Sequence, residues 1–220
     1  MANDLKRAYE HCEQITRSQA KNFYYAFRTL PAHKRRAIYA AYAFCRLCDD
    51  IVDEERSLEE KNLLLANTRQ LLHQGHDDAE AHPIFTALRD TATAFNIPPD
   101  YFDDVIAGVE MDLGHSRFQT FEELRGYCYK VASTVGLISI EIFGYKDPRA
   151  KHHAIDLGLA MQLTNIMRDL KEDAQMGRIY IPLDEIAAFG YSEREMESGV
   201  TNEAFRRLMR YQVARARRYF

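Results

Sequence analysis

Two acidic segments carry the residue types and the spacing that could perform chemistry. The first, CDDIVDE at positions 48–54, places Asp49 and Asp53 four residues apart. On a helix, this spacing stacks the two carboxylates on one face, and the same stripe extends backward to Arg46 and Tyr42. At about 6 Å and an effective dielectric of about 20, two carboxylates repel each other by roughly 3 kcal/mol. A buried helix that keeps such a pair would need a cation.

The surroundings of this pair decide between a functional and a solvated interpretation. Acidic pairs at this spacing are common on exposed helix faces, where water screens them. The preceding residues, AIYAAYAFC at 37–45, are almost wholly apolar. We therefore expect a core helix that ends in buried acids.

The second segment, QLTNIMRDLKED at 162–173, repeats this pattern with additional oxygen ligands. Gln162, Asn165, Asp169 and Asp173 are spaced three, four and four residues apart. A helix would align two amide oxygens and two carboxylates along one stripe. The sequence therefore predicts a second acidic stripe on a second long helix.

Two such stripes facing each other across a bundle would line a cavity with carboxylates. Hard divalent cations prefer oxygen ligands, and Mg²⁺ usually binds one or two carboxylates together with water and phosphate oxygens of a substrate. A metal held in this way stabilises a departing diphosphate. The pattern favours Mg²⁺-dependent chemistry on a diphosphate.

Other phosphate and metal chemistries lack their motifs. Neither stripe contains the Glu-x-x-His pair of di-iron bundles, and the chain has no P-loop and no glycine-rich dinucleotide fingerprint. Cys45 and Cys48 form a CxxC, but no second pair follows at zinc spacing.

Composition narrows the class of protein further. The formal net charge is −4 with both signs mixed along the chain, which argues against a nucleic-acid partner. Four irregularly spaced cysteines do not form a disulfide framework and favour a cytoplasmic location. The charged N-terminal segment MANDLKRAYEHC does not resemble a signal peptide, and no apolar run reaches the roughly 20 residues of a membrane span.

Helical signals run through the whole chain and predict an all-α fold. Ser57 with Glu60, and Thr120 with Glu123, form two capping-box patterns. The second should open a long helix that ends near Gly144, and another helix should run from Pro148 to about Ala174. Further helices are expected from Pro31 to about Glu54, from Pro83, and from about Thr201. Short connectors predict one helical bundle over residues 1–220.

The C-terminal segment RRLMRYQVARARRYF continues in helical register to Phe220 without a stop signal. We interpret the chain as a C-terminally incomplete domain that lacks its last helices.

Three further segments could support a diphosphate site. SQAKNFYYAFRTLP at 18–31 combines Lys21 and Arg28 with four aromatic residues, as in a phosphate-binding flap or an ordinary amphipathic segment. Arg178 and Tyr180 follow Asp173 within the connector GRIYIP. Small residues in YCYKVASTVG at 127–136 allow either close helix contact or space for a long ligand.

These segments together resemble the squalene/phytoene synthase family. The resemblance extends from SQAKNFYYAF through YAFCRLCDDIVDE, GVEMDL and YCYKVASTVG to QLTNIMRDLKEDAQMGRIYIP, and so covers nearly the whole chain. It implies an all-α isoprenoid synthase fold, with two Mg²⁺-binding aspartate motifs facing a central cavity.

The resemblance also implies roles for individual residues. Asp49, Asp53, Asp169 and Asp173 correspond to catalytic metal-binding residues, with Asn165 as a further metal ligand. The positions that resemble the family's diphosphate contacts are Lys21, Arg46, Arg178 and Tyr180. The positions that would line the prenyl channel are Phe23, Tyr42, Tyr129, Val131, Val135, Gln162 and Leu163, of which Tyr129 is also counted as catalytic.

The implied reaction is the head-to-head condensation of two prenyl diphosphates. We expect farnesyl diphosphate as substrate and presqualene diphosphate or a squalene-type product. The alternative is a phytoene synthase that uses geranylgeranyl diphosphate. A non-catalytic lipid-binding or assembly-factor relative is an alternative of another class. A terpene cyclase is disfavoured because the second motif lacks the Asn, Ser/Thr, Glu triad. The apolar substrates predict peripheral membrane contact.

Overall fold

A computed structural model describes residues 2–73, 82–114 and 117–220. Within these ranges the chain forms α-helices and one π-helix, and no strand is present apart from an isolated parallel bridge between Arg117 and Ile179. The predicted all-α class is confirmed.

The helices follow one another with short connectors. They are α1 (Ala2–Gln19), α2 (Lys21–Phe27), α3 (Ala32–Asp53), α4 (Leu58–His73), α5 (Pro83–Phe95), α6 (Pro99–Met111), α7 (Phe121–Cys128), the π-helix (Tyr129–Ser133), α8 (Thr134–Phe143), α9 (Ala150–Arg168), α10 (Leu170–Gln175), α11 (Leu183–Ala188), α12 (Glu193–Glu197) and α13 (Glu203–Tyr219).

Local capping residues fix several of these limits where the sequence predicts them. Ser57 and Glu60 form a reciprocal capping box: the Glu60 amide donates to Ser57 Oγ at 3.2 Å, and the Ser57 amide donates to Glu60 Oε2 at 2.9 Å. At α7 the Glu123 amide donates to Thr120 Oγ1 at 3.4 Å. The Glu123 carboxylate, however, accepts from the amide of Gln119 at 2.6 Å. In the second capping box, the carboxylate therefore accepts from the amide of the residue before the N-cap, and not from the amide of Thr120 itself.

The chain divides into two compact units, which are described separately. Unit 1 comprises Met1–Val109 and Ile138–Asp147, and unit 2 comprises Glu110–Leu137 and Pro148–Phe220. One domain over residues 1–220 stays a prediction.

In unit 1, α3 is the central helix, packed against α1, α4 and α5. Its buried face includes Tyr39 and Phe44. Phe44 meets Phe85 and Phe102 edge to face, with ring centroids 6.1 and 5.5 Å apart. The apolar run that precedes the first acidic pair therefore forms the core of this unit.

In unit 2, α9 is the central helix, packed against α7, α13 and the π-helix. The contact with the π-helix depends on Gly158, because a Cβ there would lie 2.4 Å from Cα of Ser133. A Cβ on Gly136 would lie 2.9 Å from the carbonyl oxygen of Ala154. Of the two interpretations of the small residues in YCYKVASTVG, the structure supports close helix contact.

The long helix predicted up to Ala174 is interrupted at Asp169. This residue has φ −99° and ψ 10° and separates α9 from α10. Two backbone bonds nevertheless cross the break: Asp169 donates to Asn165 at 2.9 Å, and Asp173 donates to Asp169 at 2.9 Å. The second acidic stripe therefore lies across a bend in the helix axis.

None of the helices in the described ranges is both long enough and apolar enough to cross a bilayer.

Candidate functional site

A group of hydrogen-bonded side chains in unit 2 centres on Asp112, which follows α6. Its two carboxylate oxygens accept hydrogen bonds from two tyrosines, Tyr180 at 3.0 Å and Tyr127 at 3.1 Å. The rings of these tyrosines stack at 5.4 Å, and Phe118 stacks on Tyr180 at 6.0 Å. This arrangement fixes the GRIYIP connector to α7.

Asp173 lies in the electrostatic field of this cluster. Burial raises the pKa of its carboxyl to about 6, and the charges of Asp169 and Asp112 add to the increase. The guanidinium of Arg178 acts in the opposite direction. The field at Asp173 thus combines the charges of two other aspartates with one opposing guanidinium, and the net effect is a raised pKa. Such a group gains from binding a metal ion.

Asp169 differs from Asp173 because it already has a cationic partner. Arg168 donates to both of its carboxylate oxygens, at 2.7 and 2.6 Å, and lowers the pKa of the carboxyl. Asp169 is therefore ionised at neutral pH and could exchange this exposed guanidinium for a metal ion.

Asn165 precedes these acids on α9. Its amide nitrogen donates to Gln162 Oε1 at 3.4 Å. This contact orients the amide, and the Asn165 carbonyl oxygen is the atom able to bind a hard cation. Gln162 and Asn165, which were predicted to share a stripe, are therefore in contact on α9.

The π-helix places further predicted residues in unit 2. Tyr129 and Val131 lie on it and are half-buried, and Val135 follows on α8. The Tyr129 carbonyl accepts from Thr134 Oγ1 at 3.0 Å, and the Ser133 hydroxyl donates to the Ile155 carbonyl at 2.8 Å. Single π-turns of this kind occur frequently at functional sites. Leu163 is buried in the core of the same unit.

The first acidic pair lies in unit 1, where one expectation was wrong. The helix α3 is largely buried, but Asp49 and Asp53 at its C-terminal end are exposed. These two carboxylates therefore need no cation to offset burial, because both are exposed to water.

Two neighbours of this pair are consistent with anion chemistry. Arg46 forms an ion pair with Asp50, with NH2 and Oδ1 2.5 Å apart, and its Nε is buried without a hydrogen-bond partner among the described residues. Tyr42 is half-buried, and burial raises the pKa of its hydroxyl. A phosphate oxygen would satisfy the Nε donor of Arg46.

The remaining predicted contacts of unit 1 lie on α2. Lys21 is exposed, and 59% of Phe23 is exposed, with its ring stacked on Phe27 at 5.9 Å. No described contact joins Lys21 or Phe23 to another of the predicted site residues.

Asp112 is a candidate site residue that the residue patterns missed. It has no acidic partner at helical spacing, but it lies within GVEMDL, one of the segments that carry the family resemblance. Among the described residues, no three His, Cys, Asp or Glu side chains form a group arranged to hold a metal ion.

Comparison with known proteins agrees with this fold. A family model described as squalene/phytoene synthase matches residues 16–220. Phytoene synthase from Arthrospira platensis is 41% identical and aligns over 97% of this chain and 73% of its own length. The 15-cis-phytoene synthase from Synechocystis sp. is 42% identical over 98% of this chain and 68% of its own length.

Solved structures give the same family. The squalene synthase HpnC from Alicyclobacillus acidocaldarius superimposes with a TM-score of 0.90 at 30% identity, covering 98% of this chain and 81% of that one. A dehydrosqualene synthase in complex with ligand superimposes with a TM-score of 0.86 at 30% identity, covering 99% and 76%. The fold is the all-α isoprenoid synthase fold, and the protein is a prenyl transferase. The chain belongs to the squalene/phytoene synthase family, whose members join prenyl diphosphates head to head.

Proposed function

We propose that this protein condenses two geranylgeranyl diphosphates to a phytoene-type C40 product. The observation that carries this choice is the 41–42% identity to phytoene synthases over 97–98% of the chain. This identity favours the C20 substrate over farnesyl diphosphate, which is the substrate expected from the sequence alone.

Ionisation of the first substrate would begin at the aspartates. We assign Mg²⁺ to Asp49 and Asp53 of unit 1 and to Asp169, Asp173 and Asn165 of unit 2, because all five side chains offer the oxygen atoms that this cation prefers. When bound, Mg²⁺ supplies charge neutralisation for the departing diphosphate. Arg46, Arg178, Lys21 and Tyr180 would bind the diphosphate oxygens.

The carbon chemistry would then proceed in two stages. The allylic cation left by the first diphosphate is captured by a double bond of the second substrate, and loss of a proton closes a cyclopropylcarbinyl diphosphate. Loss of the second diphosphate opens this ring, and a further proton loss gives the C40 polyene. Tyr129 would act as the catalytic aromatic residue, since an electron-rich ring stabilises nearby cations.

The hydrocarbon tails need an apolar channel that excludes water. We place Phe23, Tyr42, Val131, Val135, Gln162 and Leu163 along it. Water exclusion protects the cations from premature capture. Peripheral contact with a membrane would deliver these apolar substrates, and cytoplasmic location with membrane contact is part of this proposal.

The proposal is tested by incubating the full-length protein with Mg²⁺ and either radiolabelled geranylgeranyl or farnesyl diphosphate. We expect a C40 hydrocarbon and a kcat/KM for the C20 substrate at least about tenfold higher than for the C15 substrate, a preference of about 1.4 kcal/mol. Asp173→Asn should lower kcat/KM by at least about 100-fold and serves as the low-activity control.

A squalene-type activity is the second candidate, favoured by the TM-scores of 0.90 and 0.86 to a squalene and a dehydrosqualene synthase. A C30 product from farnesyl diphosphate alone would establish it. Absence of product from both substrates would instead support a non-catalytic lipid-binding or assembly role.

A further inference from the structure

A polar cavity lies in unit 1, near the N-terminal end of α3. It has a volume of about 380 Å³ and is lined by Glu13, Arg17, Tyr24, Tyr25, Arg28 and Arg35. These residues come from α1, α2 and α3 and from the turn after α2. Three guanidinium groups and one carboxylate therefore share the lining, which leaves two positive charges in excess.

The arginines of this cavity form no ion pair within the part of the chain that the structure describes. No carboxylate of the described residues lies within ion-pair distance of Arg17, Arg28 or Arg35. The carboxylate of Glu13 instead accepts a hydrogen bond from the Tyr24 hydroxyl at 3.2 Å. Unpaired guanidinium groups that converge on one cavity attract a multivalent anion.

Backbone and ring contacts hold two of these arginines in place. Arg35 donates through NH1 to the carbonyls of Arg28 and Leu30, at 3.3 and 3.5 Å. The guanidinium of Arg17 lies over the Tyr24 ring, 6.0 Å from its centroid. Both contacts restrict the arginine side chains before an anion binds, and so reduce the conformational entropy that binding would cost.

The cavity is distinct from the first aspartate motif. Arg35 and Asp49 lie on the same helix, fourteen residues apart, which corresponds to about 21 Å along the axis. A diphosphate held near Asp49 would not reach this cavity.

We propose that this cavity is a second anion site that binds a phosphate-bearing group through Arg17, Arg28 and Arg35. The site needs no metal, because its own guanidinium groups supply the positive charge. The phosphate belongs either to a lipid headgroup at a membrane surface or to a soluble phosphate compound.

The test measures binding of inorganic diphosphate to the full-length protein by calorimetry in the presence of EDTA. EDTA removes Mg²⁺ from the aspartate motifs, and the comparison of variants separates binding in this cavity from binding at Arg46 or Arg178. We expect Arg17→Gln with Arg28→Gln to weaken binding by at least about tenfold. Arg35 is left intact because of its backbone contacts.

The matched control is Arg194→Gln with Arg218→Gln, which removes the same charge from exposed positions of unit 2. This control should bind diphosphate as the unsubstituted protein does. Both double variants should keep the unsubstituted melting temperature.

A sedimentation assay then distinguishes the two sources, using phosphatidylcholine vesicles with and without phosphatidylglycerol. Sedimentation that requires phosphatidylglycerol and is lost in the Arg17/Arg28 variant identifies a lipid headgroup. Diphosphate binding without sedimentation identifies a soluble phosphate compound. The proposal is overturned if the unsubstituted protein binds neither probe, or if the Arg17/Arg28 variant binds as well as the control.

Discussion

Asp112 connects the loop that carries Arg178 and Tyr180 to the helix α7. Both of its carboxylate oxygens accept a tyrosine hydroxyl, and its charge also acts on Asp173. A residue that holds a connector and shapes the field of a neighbouring acid is a positioning residue. Its substitution should therefore affect both stability and metal binding.

We expect Asp112→Asn to destabilise the protein by about 1–2 kcal/mol, because an amide offers one acceptor oxygen to two tyrosine donors. Affinity for Mg²⁺ with diphosphate should also fall several-fold. Urea unfolding and calorimetry measure these two effects. The exposed Asp184→Asn in the same unit is the control and should stay within about 0.5 kcal/mol of the unsubstituted protein. Unchanged values for Asp112→Asn would contradict the assigned role.

Asp173 should make the metal-free protein less stable as the pH rises. Its folded-state pKa of about 6 lies above the ordinary value of 3.8. The folded state therefore holds a proton that the unfolded state has lost between these values, and stability falls as pH rises through this window. Above about pH 6 the carboxyl is ionised in both states, and the folded state carries the whole free-energy cost of this partly buried charge.

Asp173→Asn should accordingly stabilise the metal-free protein by about 1–2 kcal/mol at pH 7.5, after allowance for solvent screening. The gain should shrink towards pH 4, because the folded-state carboxyl is then protonated and the pH is close to the ordinary pKa of 3.8. Urea unfolding at several pH values in EDTA measures this difference. A gain that is equal at pH 4 and pH 7.5 would show that the charge of Asp173 is not its cause.

At the scale of residues, spacing alone was informative for the acids that repeat along a helix. Asp169 and Asp173 could be predicted as candidate site residues because i, i+4 carboxylates form a pattern within one segment. Asp112 could not, since its partners Tyr127 and Tyr180 are distant in sequence and only tertiary packing unites them. The exposure of Asp49 likewise depends on what packs beside the end of α3.

Helices α9 and the π-helix approach each other so closely that only glycine fits at position 158. A Cβ there would lie 2.4 and 2.6 Å from Cα and N of Ser133, both backbone atoms that cannot rotate away. The contact also orients the segment that carries Tyr129 and Val131.

We expect Gly158→Ala to destabilise the protein by at least about 2 kcal/mol, because the two helices must separate. Gly126→Ala is a matched control, since a Cβ there meets nothing within 4 Å in helix α7. That substitution should stabilise the protein by up to about 1 kcal/mol through helix propensity. Thermal unfolding compares the two variants. Similar melting temperatures for both would refute the tight contact.

The helix limits were predictable where a capping residue or proline marks them. Ser57, Pro83 and Thr120 each stand at a helix start, as their local hydrogen-bonding chemistry requires. The break at Asp169 and the π-helix have no such local signal. Helices α11 and α12 span six and five residues, too few for a periodic pattern to be recognised.

On the scale of the whole molecule, the two acidic pairs belong to different compact units. Asp49 and Asp53 lie in unit 1, and Asp169 and Asp173 lie in unit 2. If the proposed function is correct, both pairs act on one substrate complex. Their substitutions should then be coupled.

A double-mutant cycle on the full-length protein tests this coupling with Asp49→Asn and Asp173→Asn. Each single substitution should lower kcat/KM by at least about 100-fold, because each removes part of the metal site. The kcat/KM of the double variant should be at most about tenfold below that of the less active single variant, because the effects of residues that act as a unit are non-additive. Losses that multiply would mean that the two pairs act independently.

The family and the fold class followed from combined motifs, whereas the choice of substrate did not. The motifs report diphosphate chemistry, which C15 and C20 substrates share. Chain length is selected by the depth of an apolar channel, which depends on side chains from several helices. The identity to phytoene synthases therefore carries information that no single motif contains.

The π-helix at Tyr129–Ser133 acts as a one-residue insertion within a continuous helix. Each residue adds about 100° of rotation to an α-helix. The π-turn closes i→i+5 hydrogen bonds, so it holds one residue more than an α-turn and absorbs the rotation of that residue. Deleting one residue within Tyr129–Ser133 should therefore leave the rotational phase of Val135 and Gly136 relative to Tyr127 nearly unchanged, whereas a deletion in an α-helical part of this helix would turn all later residues by about 100°.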